Sequence, residues 1–243
     1  MNTMFFNAVS CFFVCAGLII ALILAINVIF HRQSMKIMNI MNIVWVLTGL
    51  WGHYFALFAY YTFGIRKDSM VEVVPVESMK TDMKMPMEMD MPDMRPKWQS
   101  ITLSAFHCGA GCTLADLIGE WFTYWVPLRI GGSLIAGSWV LDFVLALVIG
   151  VFFQFAAIRE MEKISFSKAV SRAFKADFFS LLAWQVGMYG WMAVVTFVLF
   201  TDAPLEKTSW TFWFMMQIAM LFGFILSYPV NALLIKAGIK KGM

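Results

Sequence analysis

Seven methionines fall within sixteen residues in the stretch MKTDMKMPMEMDMPDM: Met79, Met83, Met85, Met87, Met89, Met91 and Met94. Core packing, the usual task of Met, does not account for them. Pro86 and Pro92 interrupt helix and strand alike, and Asp82, Glu88, Asp90 and Asp93 require water. A thioether is a soft, uncharged ligand that prefers Cu(I) or Ag(I) to hard cations such as magnesium. Alternate methionines on a flexible tether let two or three sulfurs converge on one ion, and the interleaved carboxylates attract cations. The bland alternative is a solvated, oxidisable linker of biased composition.

The four cysteines form two pairs of identical spacing, Cys11 with Cys15 and Cys108 with Cys112, and residues four apart share a helix face. Around the second pair the spacing continues. Cys108, Cys112, Asp116 and Glu120 drift by only about 40° per step and form one stripe with Ala105, Gly109, Thr113 and Gly119. Leu103, Phe106, Leu114 and Leu117 fall opposite, so the stripe should face a bundle interior. His107 projects roughly 100° from Cys108 and would join the thiols only if Gly109 and Gly111 unwound the backbone. Asp116, Glu120 and Asp142 are ionisable groups inside apolar runs, where charge is expensive and points to a pathway. Their bland reading is hydrogen bonding to Gln154, Gln185, Tyr189, Gln217 or Asn231. For the cysteines it is core packing.

Met188 with Met192, and Met216 with Met220, repeat the four-residue spacing and would offer weak relay sites for a soft cation. Taken alone, each pair is core packing. His53 and His107 offer two axial haem ligands, yet no C-x-x-C-H attachment motif is present and haem is not expected. The absence of H-E-x-x-H, P-loop and G-x-S-x-G patterns argues against a hydrolytic enzyme, and no enzyme is expected.

These groups sit in a chain that is 61% hydrophobic and only 14% charged, so lipid must be its main solvent. Six apolar runs are long enough to cross a bilayer, approximately Ser10 to Phe30, Asn39 to Gly64, Ile101 to Pro127, Leu134 to Ile158, Phe178 to Phe200 and Trp210 to Ile235. The first lacks a preceding Lys or Arg and is too long for a signal-peptide core, so it reads as an anchor. Trp98, Trp121, Trp125, Trp210 and Trp213 lie near span ends, where amphipathic rings favour the headgroup level. Residues Arg159 to Asp177 read as an interfacial amphipathic helix with Ser165 as N-cap, Phe166, Val170, Phe174 and Phe178 on one face and basic residues elsewhere. The expected fold is therefore an all-α polytopic membrane protein of about six transmembrane helices plus one interfacial helix. Residues 1–64 form two N-terminal spans, 65–100 a Met-rich loop and 101–243 a four-span core.

The net charge of +3 is dispersed and gives no case for nucleic acid. With six crossings, fourteen of the eighteen Lys and Arg residues fall on one side, which places both termini in the cytoplasm of a bacterial inner membrane. Arg32 and Lys36, directly after the first span, argue locally for an external N-terminus. Each cysteine pair sits a few residues inside an odd-numbered span, so with this span count both enter the membrane from the tract's side.

The segments FHCGAGCTLADLIGEW from Phe106, KADFFSLLAWQVGMYGWM from Lys175, FWFMMQIAMLFGF from Phe212 and SYPVNALLIKAGIKKGM from Ser227 carry a family likeness. From about Trp98 to the C-terminus the chain resembles the membrane family known as domain of unknown function 4396. That resemblance implies no activity and does not reach the tract, Cys11 or Cys15. The leading expectation is a protein that binds and translocates or delivers a soft metal ion, foremost Cu(I). Two others stand beside it: a non-transporting subunit or assembly factor that meets a metallochaperone or a copper or haem enzyme, and a metal-independent proton-coupled carrier.

Overall fold

The computed structural model describes residues 3–30, 40–64, 96–161, 164–201 and 203–242. Six helices long and apolar enough to cross a membrane make up the described chain. They are α1 (Thr3–Phe30), α2 (Ile40–Ala59, closed by a π-helical turn Tyr60–Gly64), α3 (Lys97–Trp125), α4 (Leu134–Met161), α5 (Phe166–Val194, closed by a π-helical turn Val195–Leu199) and α6 (Trp210–Lys236). No strand ladder occurs among the described residues; one isolated bridge joins Ile130 to Ser133. Helices satisfy their own backbone hydrogen bonds, as hydrocarbon requires. At 1.5 Å per residue the 28 residues of α1 reach about 42 Å, more than the ~30 Å apolar core.

α2 departs from a straight span. His53 has φ 45° and ψ −128°, outside the helical region, and the chain reverses there. The Trp45 ring packs on Tyr60 (centroids 5.4 Å apart) and Phe63 (6.4 Å), and a Cβ at Gly64 would lie 2.5 Å from the same indole. In an unbroken helix residues 45 and 64 would be about 28 Å apart. Residues 40–52 and 54–64 are thus two limbs of a hairpin that enters and leaves on one face. Its second limb returns to the start of α3, where Phe63 packs on Trp98 (5.4 Å).

This reversal places the two termini on opposite faces, correcting the expectation that they share one. Phe6 in the first turn of α1 packs on Phe200 and Phe214, and the Asn7 side-chain oxygen accepts a hydrogen bond from Thr211 Oγ1 (2.8 Å). α1 therefore starts beside the end of α5 and the start of α6. The C-terminal tail lies at the other face, with Gly242 against Ser100 at the start of α3. We call these the entry face and the tail face. The two cysteine pairs separate accordingly, Cys11 and Cys15 in the entry-face part of α1 and Cys108 and Cys112 at the middle of α3.

The segment 159–177 is not a separate helix. Residues 159–161 finish α4, and from Phe166 onward the chain forms one continuous helix with the fifth span. No Pro or Gly interrupts it before Gly187, so nothing stops propagation. Ser165 precedes Phe166 with extended backbone, as an N-cap does, but its hydroxyl makes no capping bond. Ala169, Ala173 and Ala176 form the buried face, while Phe166 and Phe174 are exposed toward lipid or headgroups.

α3 is the most buried helix and forms the centre of the bundle. It runs unbroken through Gly109 and Gly111, so those glycines do not unwind it. They permit close approach instead. The Trp184 indole of α5 fills a slot where side chains at Gly109 and Gly223 would collide with it, and Gly111 packs on the Gly150 backbone of α4. Phe106 anchors the α2 hairpin, its ring packing on Trp45, Trp51 and Phe55.

Candidate functional site

The helical spacing of Cys108, Cys112, Asp116 and Glu120 places them down one line of α3, and all four are buried, at 1%, 0%, 2% and 5% exposure. Asp142 of α4 reaches the same line because Gly119 has no side chain; a Cβ there would sit 3.1 Å from Asp142 Cγ and closer still to Oδ1. The Asp142 and Glu120 carboxyls come within hydrogen-bonding reach of each other, with Asp116 near enough to interact with both. Neither oxygen of Asp116 has a hydrogen-bond partner. Carboxyls gathered in this way repel unless a proton or a cation sits among them.

The expected interhelical partners are engaged elsewhere or stay apart. Tyr189 donates to the Trp139 carbonyl (2.7 Å) and stacks on its ring, Gln217 donates to the Leu50 carbonyl (2.7 Å), and Asn231 donates to the Ser227 carbonyl (3.0 Å). Gln185 has neither side-chain atom bonded, and Gln154 Oε1 is unbonded. Tyr189, Gln217 and Asn231 therefore place these bonds outside the acidic cluster.

Each end of the line is closed by a lysine that the sequence reading did not single out. At the entry face Lys207, from the segment between α5 and α6, forms an ion pair with Glu120 and donates to Thr123 Oγ1 (2.5 Å) and Ser138 Oγ (2.9 Å). Ser138 Oγ lies 3.3 Å from Glu120 Oε2, completing the polar cluster. A cavity of about 590 Å³ opens beside it, lined by Glu120, Thr123, Ser138, Trp139, Met192 and Lys207 among others.

At the tail face Gly238, with φ 70°, turns the chain after α6, and Ile239 N and Lys240 N bond back to the Leu234 carbonyl. Gly at this position is the ordinary way for a helix to end and reverse. The turn carries Lys240 into the bundle, where Nζ donates to Asn231 Oδ1 (2.9 Å) and lies 3.5 Å from Ser180 Oγ and 3.9 Å from Asp177 Oδ1. Both side chains of the Lys240–Asp177 pair are fully buried. Cys108 lies beside Asp177. The one legible signal was the Lys-Ala-Gly sequence ending α6, which marks a turn but not its destination.

The sulfur sites are partly gathered. Met188, Met192, Met216 and Met220 are all buried, and the Met220 sulfur accepts from Thr113 Oγ1 on the α3 line (3.9 Å). His107 packs against Phe153 (6.0 Å), and His53 sits at the α2 turn against Phe13 (6.0 Å). Among the described residues no three of His, Cys, Asp and Glu are grouped as a metal ion would require, so His107 does not complete a ligand set with Cys108 and Cys112. Met79, Met83, Met85, Met87, Met89, Met91 and Met94 lie outside the described residues.

The model of the family described as Domain of unknown function (DUF4396) matches residues 97–240, more than half of the chain. The chain belongs to this family. Its matched region begins at the first residue of α3 and ends on Lys240, so the family unit comprises α3 to α6 with both lysine-closed ends of the line. α1, the α2 hairpin and the Met-rich tract precede it. No curated protein and no solved structure matches the chain.

Proposed function

We propose that this protein is a membrane carrier that passes a cation along the polar line of α3. The observation that carries the reading is Asp116, buried with both carboxyl oxygens unpartnered one helical turn from Glu120, which lines a cavity at the entry face. Such a cluster holds charge only when a proton or a cation compensates it, which is the property a coupled path requires. The cargo we favour is a soft monovalent ion, Cu(I) foremost. Cys108, Cys112 and the Met220 thioether line the same route, and the tract precedes α3 directly. A proton-coupled carrier without metal is the second reading, favoured by the close approach of the Asp142 and Glu120 carboxyls.

The orientation follows from charge. With α2 doubling back, sixteen of the eighteen Lys and Arg residues belong to segments that begin or end on the tail face, leaving Arg129 and Lys207 at the entry face. Arg32 and Lys36, discordant with six crossings, join the majority. By the positive-inside rule the tail face and the tract are cytoplasmic and the N-terminus is external, in a bacterial inner membrane. In a background lacking native cysteines, cysteine at Thr3 should react with a membrane-impermeant thiol reagent in intact cells, and cysteine at Gly242 only after permeabilisation. The reverse labelling pattern would overturn the orientation.

The transport reading is tested by flux of Cu(I), or of Ag(I) as its stable substitute, in reconstituted vesicles. Asp116→Asn with Glu120→Gln keeps shape and hydrogen-bonding capacity while removing charge. Flux should fall at least about tenfold, the equivalent of ~1.4 kcal/mol, with folding intact by thermal melting. Undiminished flux would reject charge coupling through this line. No metal flux in the folded parent, with proton flux retained, would leave the second reading; neither flux would reject the carrier.

A further inference from the structure

The Lys240 ammonium lies in a fully buried polar cluster formed by Asp177 and Ser180 of α5 and Asn231 of α6, with Cys108 of α3 beside Asp177. Three observations set this apart from a simple helix fastening. The ammonium makes its one short contact with a neutral amide oxygen, 2.9 Å from Asn231, while the carboxylate oxygen stands off at 3.9 Å. The second Asp177 oxygen has no partner, although Asp177 is fully buried. That oxygen points toward α4, in space left open by Gly150. Lys240 is also carried by the segment after the Gly238 turn rather than by a helix, so its removal breaks no helical hydrogen bond.

We infer that the cluster is a binding site for a small monovalent cation and that Lys240 is its tethered occupant, closing the cytoplasmic end of the α3 line until an arriving cation displaces it. The donor set of one carboxylate, one amide oxygen and one hydroxyl matches a single positive charge, which is the charge the ammonium supplies. Cys108 beside Asp177 adds one soft donor, and the ions tested separate an alkali ion from a soft one. Glu120 with Lys207 repeats the arrangement at the entry face, with a partly exposed lysine in place of a buried one. The inference rests on reading α3 as a cation path, but it is tested by binding alone.

The experiment uses the full chain in detergent and follows thermal unfolding during titration with potassium chloride, methylammonium chloride and silver nitrate, against a bulky organic cation at equal ionic strength. A tethered competitor present about 90% of the time weakens apparent affinity about tenfold. Lys240→Ala should therefore show saturable stabilisation by at least one of the three ions, at least about tenfold tighter than the parent. Asp177→Asn added to Lys240→Ala should abolish that response. Preference for silver identifies a soft-ion site, and preference for potassium or methylammonium a hard one; either supports the inference. If Lys240→Ala does not fold, Lys240→Met retains the apolar stem without the charge and takes its place. A folded variant with no saturable response to any of the ions, or a response unchanged by Asp177→Asn, overturns the site. Binding without flux in vesicles would instead reject the carrier reading and leave the site standing.

Discussion

Replacing Gly119 by alanine adds one methyl group at the point where α4 comes closest to the acidic line. The new Cβ would lie 3.1 Å from Asp142 Cγ and 3.4 Å from Leu145 Cδ1, with Asp142 Oδ1 nearer than either. To regain ordinary contact near ~3.5 Å the carboxyl must move by more than about 1 Å, because α3 is packed on its other sides. Overpacking of this kind costs about 1–3 kcal/mol, and the helix gains about 1 kcal/mol from losing a glycine. Net destabilisation should therefore stay within about 2 kcal/mol. On the proposed carrier reading the displacement of Asp142 has a larger effect on rate, and a 1 Å misplacement corresponds to roughly 100-fold. Gly190→Ala is the control, since a Cβ there meets nothing within 4 Å on α5 and should be neutral or slightly stabilising. The assay pairs thermal melting in detergent with ion flux in vesicles for both variants. Gly119→Ala with parental flux would refute the role of the Asp142 position, and stabilisation equal to that of Gly190→Ala would refute the packing argument itself.

His53→Gly should melt no lower than the parent, because relief of roughly 1–3 kcal/mol of backbone strain offsets loss of the contact with Gln217. His53→Val should melt lower; a valine variant at least as stable as the glycine one would mean that α2 does not reverse at this residue. Lys207→Met strands Glu120, and since the lysine side chain is 24% exposed the cost should be about 1–3 kcal/mol, between the exposed and the buried limits. Adding Glu120→Gln should recover at least half of that loss in a double-mutant cycle, and strictly additive losses would deny the pairing. Replacing the seven methionines of the tract by leucine should remove soft-metal binding without shifting the melting temperature, measured by elemental analysis beside a thermal scan. Equal copper content in the two proteins would reject the capture role.

Helix positions along the chain were legible from sequence because hydrocarbon admits few alternatives: a long apolar run must form a helix. The stripe Cys108, Cys112, Asp116, Glu120 was legible for the same reason, since spacing alone fixes which residues share a face. Hydropathy could not distinguish a crossing from a hairpin in residues 40–64. Both bury apolar side chains and satisfy the backbone within helices, and the reversal turns on one histidine with positive φ rather than on a Pro or Gly signal. The basic residues Arg32 and Lys36 point the same way as the reversal. Lys207 and Lys240 carry no signal in the sequence, because a lysine outside an apolar run ordinarily stays in water. Only the packed bundle, by bringing Glu120 to one and Asp177 with Asn231 to the other, supplies the buried partners that draw both ammonium groups inward. Spacing along a helix is a property of the sequence, but which charges meet depends on the tertiary fold, because these partners are 63 to 87 residues apart along the chain for the two ion pairs.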